Sequence, residues 1–118
     1  MNKRLESSIE RKVVYAAAHD LGVYSAKMGT NVSTGWPDRM FFIPGGRPLF
    51  IEFKRPGGKV SPKQQYIHER LRGWGYKVEV HDSTDDALSS ICREVDAARV
   101  SARDGEVARR PRRRGPVR

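Results

Sequence analysis

The chain has 118 residues, room for one ordinary domain with one core, and only 37% of them are hydrophobic. It carries 23 Lys and Arg against 14 Asp and Glu, a net charge of +9, and a single cysteine, Cys92, which excludes an intramolecular disulfide and a cysteine metal cluster. No apolar run approaches the roughly 20 residues of a membrane span, and the opening MNKRLESSIER lacks the apolar core of a signal peptide, so the expectation is a soluble cytoplasmic protein.

In chain order, Leu5, Ile9, Val13, Ala16, Ala17 and Leu21 recur at helical spacing, which predicts an amphipathic helix over 4–21 stopped by Gly22. Val23 to Met28 reads as a short strand, and Gly29 to Pro37 as a polar, glycine-punctuated loop. Arg39–Ile43 and Leu49–Lys54 are two strands joined by the turn signal PGGRP. After the loop RPGGKV, Ser61 is placed to cap a helix with Pro62 at its first position and Gln64 completing a capping box. Ile67, Leu71 and Trp74 give that helix an apolar stripe, and Gly73 and Gly75 close it. Tyr76, Val78 and Val80 alternate with Lys77, Glu79 and His81, the pattern of a half-buried strand with the first set as core. Ser83 and Asp86 are candidate caps for a last helix bearing Ala87, Leu88, Ile91, Cys92 and Val95. The order α-β-β-β-α-β-α predicts an α/β fold, a mixed sheet flanked by helices.

The basic excess is concentrated at the end. Arg99 to Arg118 holds eight arginines and two acids, leaving a net charge of only +3 for residues 1–98. Such a self-repelling, proline-containing block with little to bury reads as a disordered arginine-rich tail over 99–118, following a folded domain over 1–98. A flexible basic arm on a folded domain points to a polyanion partner, nucleic acid first.

Chemistry concentrates in GWPDRMFFIPGGRPLFIEFKRPGG. Strand side chains alternate between faces, so Leu49, Ile51 and Phe53 share one face while Phe50, Glu52 and Lys54 share the other. If the hairpin turns at Gly45-Gly46, paired positions sum to about 91 or 92. Asp38 then lies nearly opposite Lys54 and diagonal to Glu52, with Cβ atoms about 7 Å apart. Two carboxylates at that separation can grip one divalent cation, and an all-oxygen site favours Mg²⁺, Mn²⁺ or Ca²⁺. A lysine beside them does nothing for a structural metal, but in a hydrolytic site it stabilises developing negative charge.

These residues resemble the VRR-NUC (virus-type replication-repair nuclease) domain family of the PD-(D/E)XK nuclease superfamily. The resemblance is carried by ESSIER in the first helix, Lys27, GWPDRMFF, PGGRPLFIEFKRPGGKVSPKQ and LRGWGYKVEV, in consecutive order from about Leu5 to Leu88. It implies a restriction-endonuclease-like αβββαβ core, to which this chain adds a C-terminal helix and the basic tail. It also implies that Asp38 and Glu52 are metal ligands for Mg²⁺ or Mn²⁺, that the Phe53 carbonyl faces the metal, and that Lys54 is catalytic. Glu10 is the best match for a further ligand on the first helix, with Glu6 one turn earlier on the same face as the competing choice. Gln64 matches the family's glutamine after Ser-Pro, alongside its reading as a helix cap.

The function implied is a metal-dependent DNA endonuclease hydrolysing phosphodiesters by in-line attack of water. Its expected substrate is branched or structured DNA, cut by a homodimer in the manner of a Holliday-junction resolvase, in a bacterial or phage setting. The competing readings are a catalytically silent nucleic-acid-binding module and a nickase subunit that needs a partner protein. Lys12, Lys27, Arg39, Arg55, Lys59 and Lys63 lie where they would rim such a site as phosphate contacts. Trp36 is placed either to stack on a base or to cover one end of the sheet. His19, His68 and His81 have no mutual metal-ligand spacing and read as surface or partly packed side chains.

Overall fold

The computed structural model describes residues 2–28 and 34–109. Within them the order is α1 (Asn2–Leu21), β1 (Ser25–Lys27), β2 (Arg39–Phe41), β3 (Leu49–Phe53), α2 (Pro62–Gly73), β4 (Lys77–His81) and α3 (Thr84–Arg109). The sheet order is β1-β2-β3-β4, with β1-β2 and β2-β3 antiparallel and β3-β4 parallel. The expected mixed sheet flanked by helices is what forms.

Helices cover both sheet faces. On one side α1 contributes Ile9, Val13 and Ala17 and α3 contributes Ala87, Ile91, Val95 and Ala98, packed on Phe41, Leu49, Ile51 and Phe53. On the other, Leu71 and Ile67 of α2 pack on Phe50 and Val78, with Trp36, Met40 and Tyr76 at the margins. This explains why every residue of β3 is buried, the state expected of a strand inside a three-layer α/β sandwich. Four residues leave the predicted stripes. Leu5 is 47% exposed near the start of α1 and Cys92 is exposed on α3. Trp74 is 59% exposed at the C-terminal cap of α2, its ring beside Arg70, and Val80 is 38% exposed on edge strand β4.

Three local features position the site. The hairpin register pairs Arg39 with Ile51, Met40 with Phe50 and Phe41 with Leu49, so it is centred on Gly45 rather than on the Gly45-Gly46 bond or beyond. Gly45 takes φ +76° and the Gly46 N–H donates to the Ile43 carbonyl, which tightens the turn. The capping box at α2 forms as expected: the Gln64 N–H donates to Ser61 Oγ at 3.1 Å, and the Ser61 N–H donates to Gln64 Oε1 at 2.9 Å. Ser83 caps α3, its Oγ accepting the Asp86 N–H.

The arm expected to be disordered from Arg99 differs from the structure, because α3 continues through Arg109. Up to Arg109 the segment is rich in Ala, Arg and Val and meets no proline before Pro111, so an established helix adds turns at little cost. Arg99 also pairs with Asp96 at 3.7 Å, one turn back. The final RRPRRRGPVR lies outside the described residues except for its first arginine, and so does the 29–33 part of the glycine-punctuated loop.

The remainder of that loop docks on α2. Gly35 has φ +99°, and a Cβ there would lie 2.9 Å from the Lys63 carbonyl oxygen and 3.2 Å from Ile67 Cγ1. Gly57 has φ +81° with open space around it. Gly57→Ala is therefore expected to cost about 1 kcal/mol, the left-handed backbone penalty alone. Gly35→Ala should cost about 2–3 kcal/mol, because it adds a clash with backbone. Urea unfolding checks this; equal losses would mean that the GWP turn does not press on α2.

Candidate functional site

Position 52 follows from β3's alternation: Phe50, Glu52 and Lys54 turn toward α2. Glu52 is only 3% exposed, and a carboxylate at that depth is costly unless it is hydrogen-bonded or paired. α2 supplies the main bond, with Gln64 Nε2 donating to Glu52 Oε2 at 2.8 Å. The Ser61 backbone N–H can only donate, so it draws the amide oxygen of Gln64 to the cap and leaves the amide NH₂ to face the carboxylate. One side chain thus completes the cap and also donates to Glu52. Lys54 Nζ lies 3.6 Å from the same Oε2. Glu52 Oε1 is buried with no hydrogen-bond partner.

Asp38 arrives from the hairpin. Continuing the observed register one step past Arg39–Ile51 sets Asp38 beside Glu52, closer than the diagonal placement expected from the sequence. Asp38 Oδ2 accepts the Phe53 N–H at 2.7 Å, which pins the aspartate to the end of β3. Phe53 itself sends its ring into the core on the other face.

Crowding two acids in a poorly solvated place disfavours ionisation. Glu52 is pushed up to about 7, by burial first and the nearby Asp38 second, against the opposing pull of Lys54. Burial also raises Asp38, offset by its bond from Phe53.

Both candidate acids of α1 approach, and each has its own partners. Glu10 is buried and its Oε2 accepts from Arg39 Nε at 2.7 Å and Lys27 Nζ at 3.3 Å. It is the acid whose charge is felt by Asp38, while that of Glu6 is felt by Glu52. Glu6 Oε2 accepts the Arg55 N–H at 3.3 Å. Lys27 and Arg39, expected as phosphate contacts, thus lie against Glu10, and Arg39 Nη1 also donates to Ser25 Oγ. Lys12, Lys59 and Lys63 are exposed, and Arg55 is half-buried. Trp36 packs partly buried against the Phe50–Leu71–Val78 cluster and covers the sheet.

The sequence reading missed His68. Expected at the surface or partly packed, it is 1% exposed, with Nε2 3.9 Å from Glu52 Oε1. The available signal was spacing: His68 follows Gln64 by four residues and shares its helical face.

Asp38 and Glu52 form a donor set that suits a small oxygen-ligated divalent ion completed by water. Their mutual repulsion and the unpartnered Oε1 fit such an ion. Among the described residues no group of three or more His, Cys, Asp or Glu makes an all-protein cage.

Residues 16–85 match the VRR-NUC domain family. The chain is 39% identical over 90 residues to "Putative nuclease p44" of Acyrthosiphon pisum secondary endosymbiont phage 1, covering 76% of this chain and 94% of that protein. A solved "VRR_NUC domain" superposes with TM-score 0.65 at 27% identity, covering 74% of this chain and 94% of its own. A solved "VRR_NUC domain protein" gives TM-score 0.67 at 20% identity, with 77% and 88% covered, and speaks to the fold alone. The chain belongs to the VRR-NUC domain family. Among the described residues, no helix is long and apolar enough to cross a membrane.

The raised Glu52 gives a pH prediction for protein kept in EDTA. The folded state holds this proton up to about pH 7, whereas an unfolded glutamate releases it near its ordinary value of 4.5. Across that window the native state binds more protons, so stability falls as pH rises, by roughly 3 kcal/mol from this group. His68, lowered by burial, contributes the opposite slope just below its ordinary value. The readout is therefore the difference between wild type and Glu52→Gln in melting temperature from pH 4 to 8. Glu52→Gln should gain relative to wild type as pH rises through the window, and a flat difference would contradict the burial argument.

Proposed function

We propose that the protein is a Mg²⁺- or Mn²⁺-dependent DNA endonuclease that cuts branched or structured DNA as a homodimer, in the manner of a junction resolvase. VRR-NUC membership and the nuclease-named phage relative support a nuclease. The observation that carries the reading is Glu52: a buried carboxylate at the end of a central strand, beside Asp38 and Lys54, with one oxygen unpartnered. A homodimer fits the substrate class, since two cuts on a two-fold symmetric junction need two sites.

Asp38 and Glu52 would hold the divalent ion, which when bound supplies positive charge to polarise the scissile phosphate. Gln64 fixes one oxygen of Glu52 in place, and Phe53's N–H does the same for Asp38. Lys54, the residue that follows β3, would hold positive charge where negative charge develops on phosphate and nucleophile. The half-buried setting strengthens that interaction relative to water.

The test is cleavage of a panel of four-way junction, flap, linear duplex and single-stranded DNA under Mg²⁺, Mn²⁺ or EDTA. Cutting of the branched substrates is expected with either metal and not with EDTA. Glu52→Gln and Lys54→Ala should each lower kcat by at least about 100-fold and leave DNA binding in place. Binding that persists with no cleavage under either metal would make the chain a binding module, or a nickase subunit awaiting its partner protein. Deleting 99–118 removes eight arginines and, among the residues whose burial is described, no buried one. It should weaken DNA binding and flatten its salt dependence, because fewer counterions are released. An unchanged slope in a salt titration would remove the arm from the interface.

A further inference from the structure

The helix that holds Glu52 Oε2 through Gln64 presents His68 one turn later, in the same direction. His68 Nε2 and Glu52 Oε1 are both buried, neither has a hydrogen-bond partner, and they lie 3.9 Å apart. Each unpartnered buried polar atom costs about 1–3 kcal/mol. A movement of about 1 Å brings the pair to ordinary hydrogen-bond length and satisfies both. His68 lies on α2 with its Nε2 shielded from water. Its presence at 1% exposure therefore calls for a partner, and Glu52 Oε1 is the polar atom facing it.

We propose that His68 is a positioning residue of the site, donating its Nε2–H to Glu52 Oε1, so that Gln64 and His68 form a two-point clamp on the Glu52 carboxylate from one face of α2. The clamp fixes the plane of the carboxylate, because each oxygen is held from a different point of the helix. Oε1 retains a second lone pair after accepting from His68. A neutral imidazole suffices, and burial together with Arg72 and Lys54 keeps His68 in that form. The inference builds on the proposed metal-dependent site, though the hydrogen bond itself requires no metal.

The deciding experiment is ¹⁵N NMR of the ring nitrogens in the full chain, without metal. The expected result is His68 as the Nε2–H tautomer with a ring proton protected from exchange. That protection should be lost in Glu52→Ala. An Nδ1–H tautomer, or a ring proton indifferent to Glu52→Ala, would overturn the clamp. The functional consequence is read by Mn²⁺ titration calorimetry. His68→Phe should weaken Mn²⁺ binding about 10- to 100-fold, as loss of such supporting bonds commonly does, and it should stay folded in EDTA with a lower melting temperature, because Glu52 Oε1 loses its donor. His68→Gln, which keeps a donor, should restore most of the affinity. If wild-type protein binds no Mn²⁺ at all, the metal-dependent reading fails, while the ring-proton result still decides the clamp.

Discussion

A carboxylate on the most buried strand of the sheet is the constraint around which this end of the molecule is arranged. β3 is covered by α1 and α3 on one face and by α2 on the other, so Glu52 is only 3% exposed to water. Its partners must come from the protein. Gln64 is the nearest, and Gln64 is placed by the first turn of α2, where Ser61 and Gln64 satisfy each other's backbone N–H groups. Starting the helix and orienting the carboxylate are consequently one event. A side chain engaged at both ends has little rotamer freedom left, so Glu52 meets a preformed donor and not a mobile one.

The same economy appears on the Asp38 side. Pro37 is buried and Gly35 lets the chain pass against the Lys63 carbonyl, so the entry into β2 is braced on the turn of α2 that carries Gln64. Asp38 is then tied to the Phe53 N–H at the end of the neighbouring strand. The two acids come from different strands, yet both are referenced to α2 and to the last residues of β3. Small errors in the hairpin or the helix would move them together and leave their separation nearly unchanged.

Much of this was legible in the sequence, for reasons that differ by residue. The alternation of LFIEFK fixed which side chains accompany Glu52, because a strand has no other way to distribute them. The Ser-Pro-Lys-Gln run announced its own cap geometry. The register was harder: one residue of turn centring moves Asp38 from diagonal to adjacent, and only the left-handed φ of Gly45 decides it. His68 was hidden because helical periodicity marks it as inward but says nothing of what it faces across the sheet. Lys27 and Arg39 looked like free cations because Glu10, at sequence separations of 17 and 29, is brought to them only by the tertiary fold. The helical continuation of α3 past Ala98 was obscured by arginine content, although alanine and arginine are good helix formers.

Charge balance around the site carries the argument one step further. Glu6, Glu10, Asp38 and Glu52 are offset by Lys27, Arg39 and Lys54, an excess of one negative charge when every group is ionised. With Glu52 held near 7, its carboxyl is substantially protonated at neutral pH, and the cluster is then close to neutral. Net negative charge appears only when Glu52 gives up its proton, and it appears at the carboxylate whose Oε1 has no hydrogen-bond partner. A cation, were one bound there as proposed, would compete with the proton on Glu52. The charges at the rim, in particular the pairing of Glu10 with Arg39, keep the acids of α1 from making that competition more lopsided. Removing Arg39 would leave the charge of Glu10, which already raises Asp38, without its closest partner, and push Asp38 further toward its protonated form.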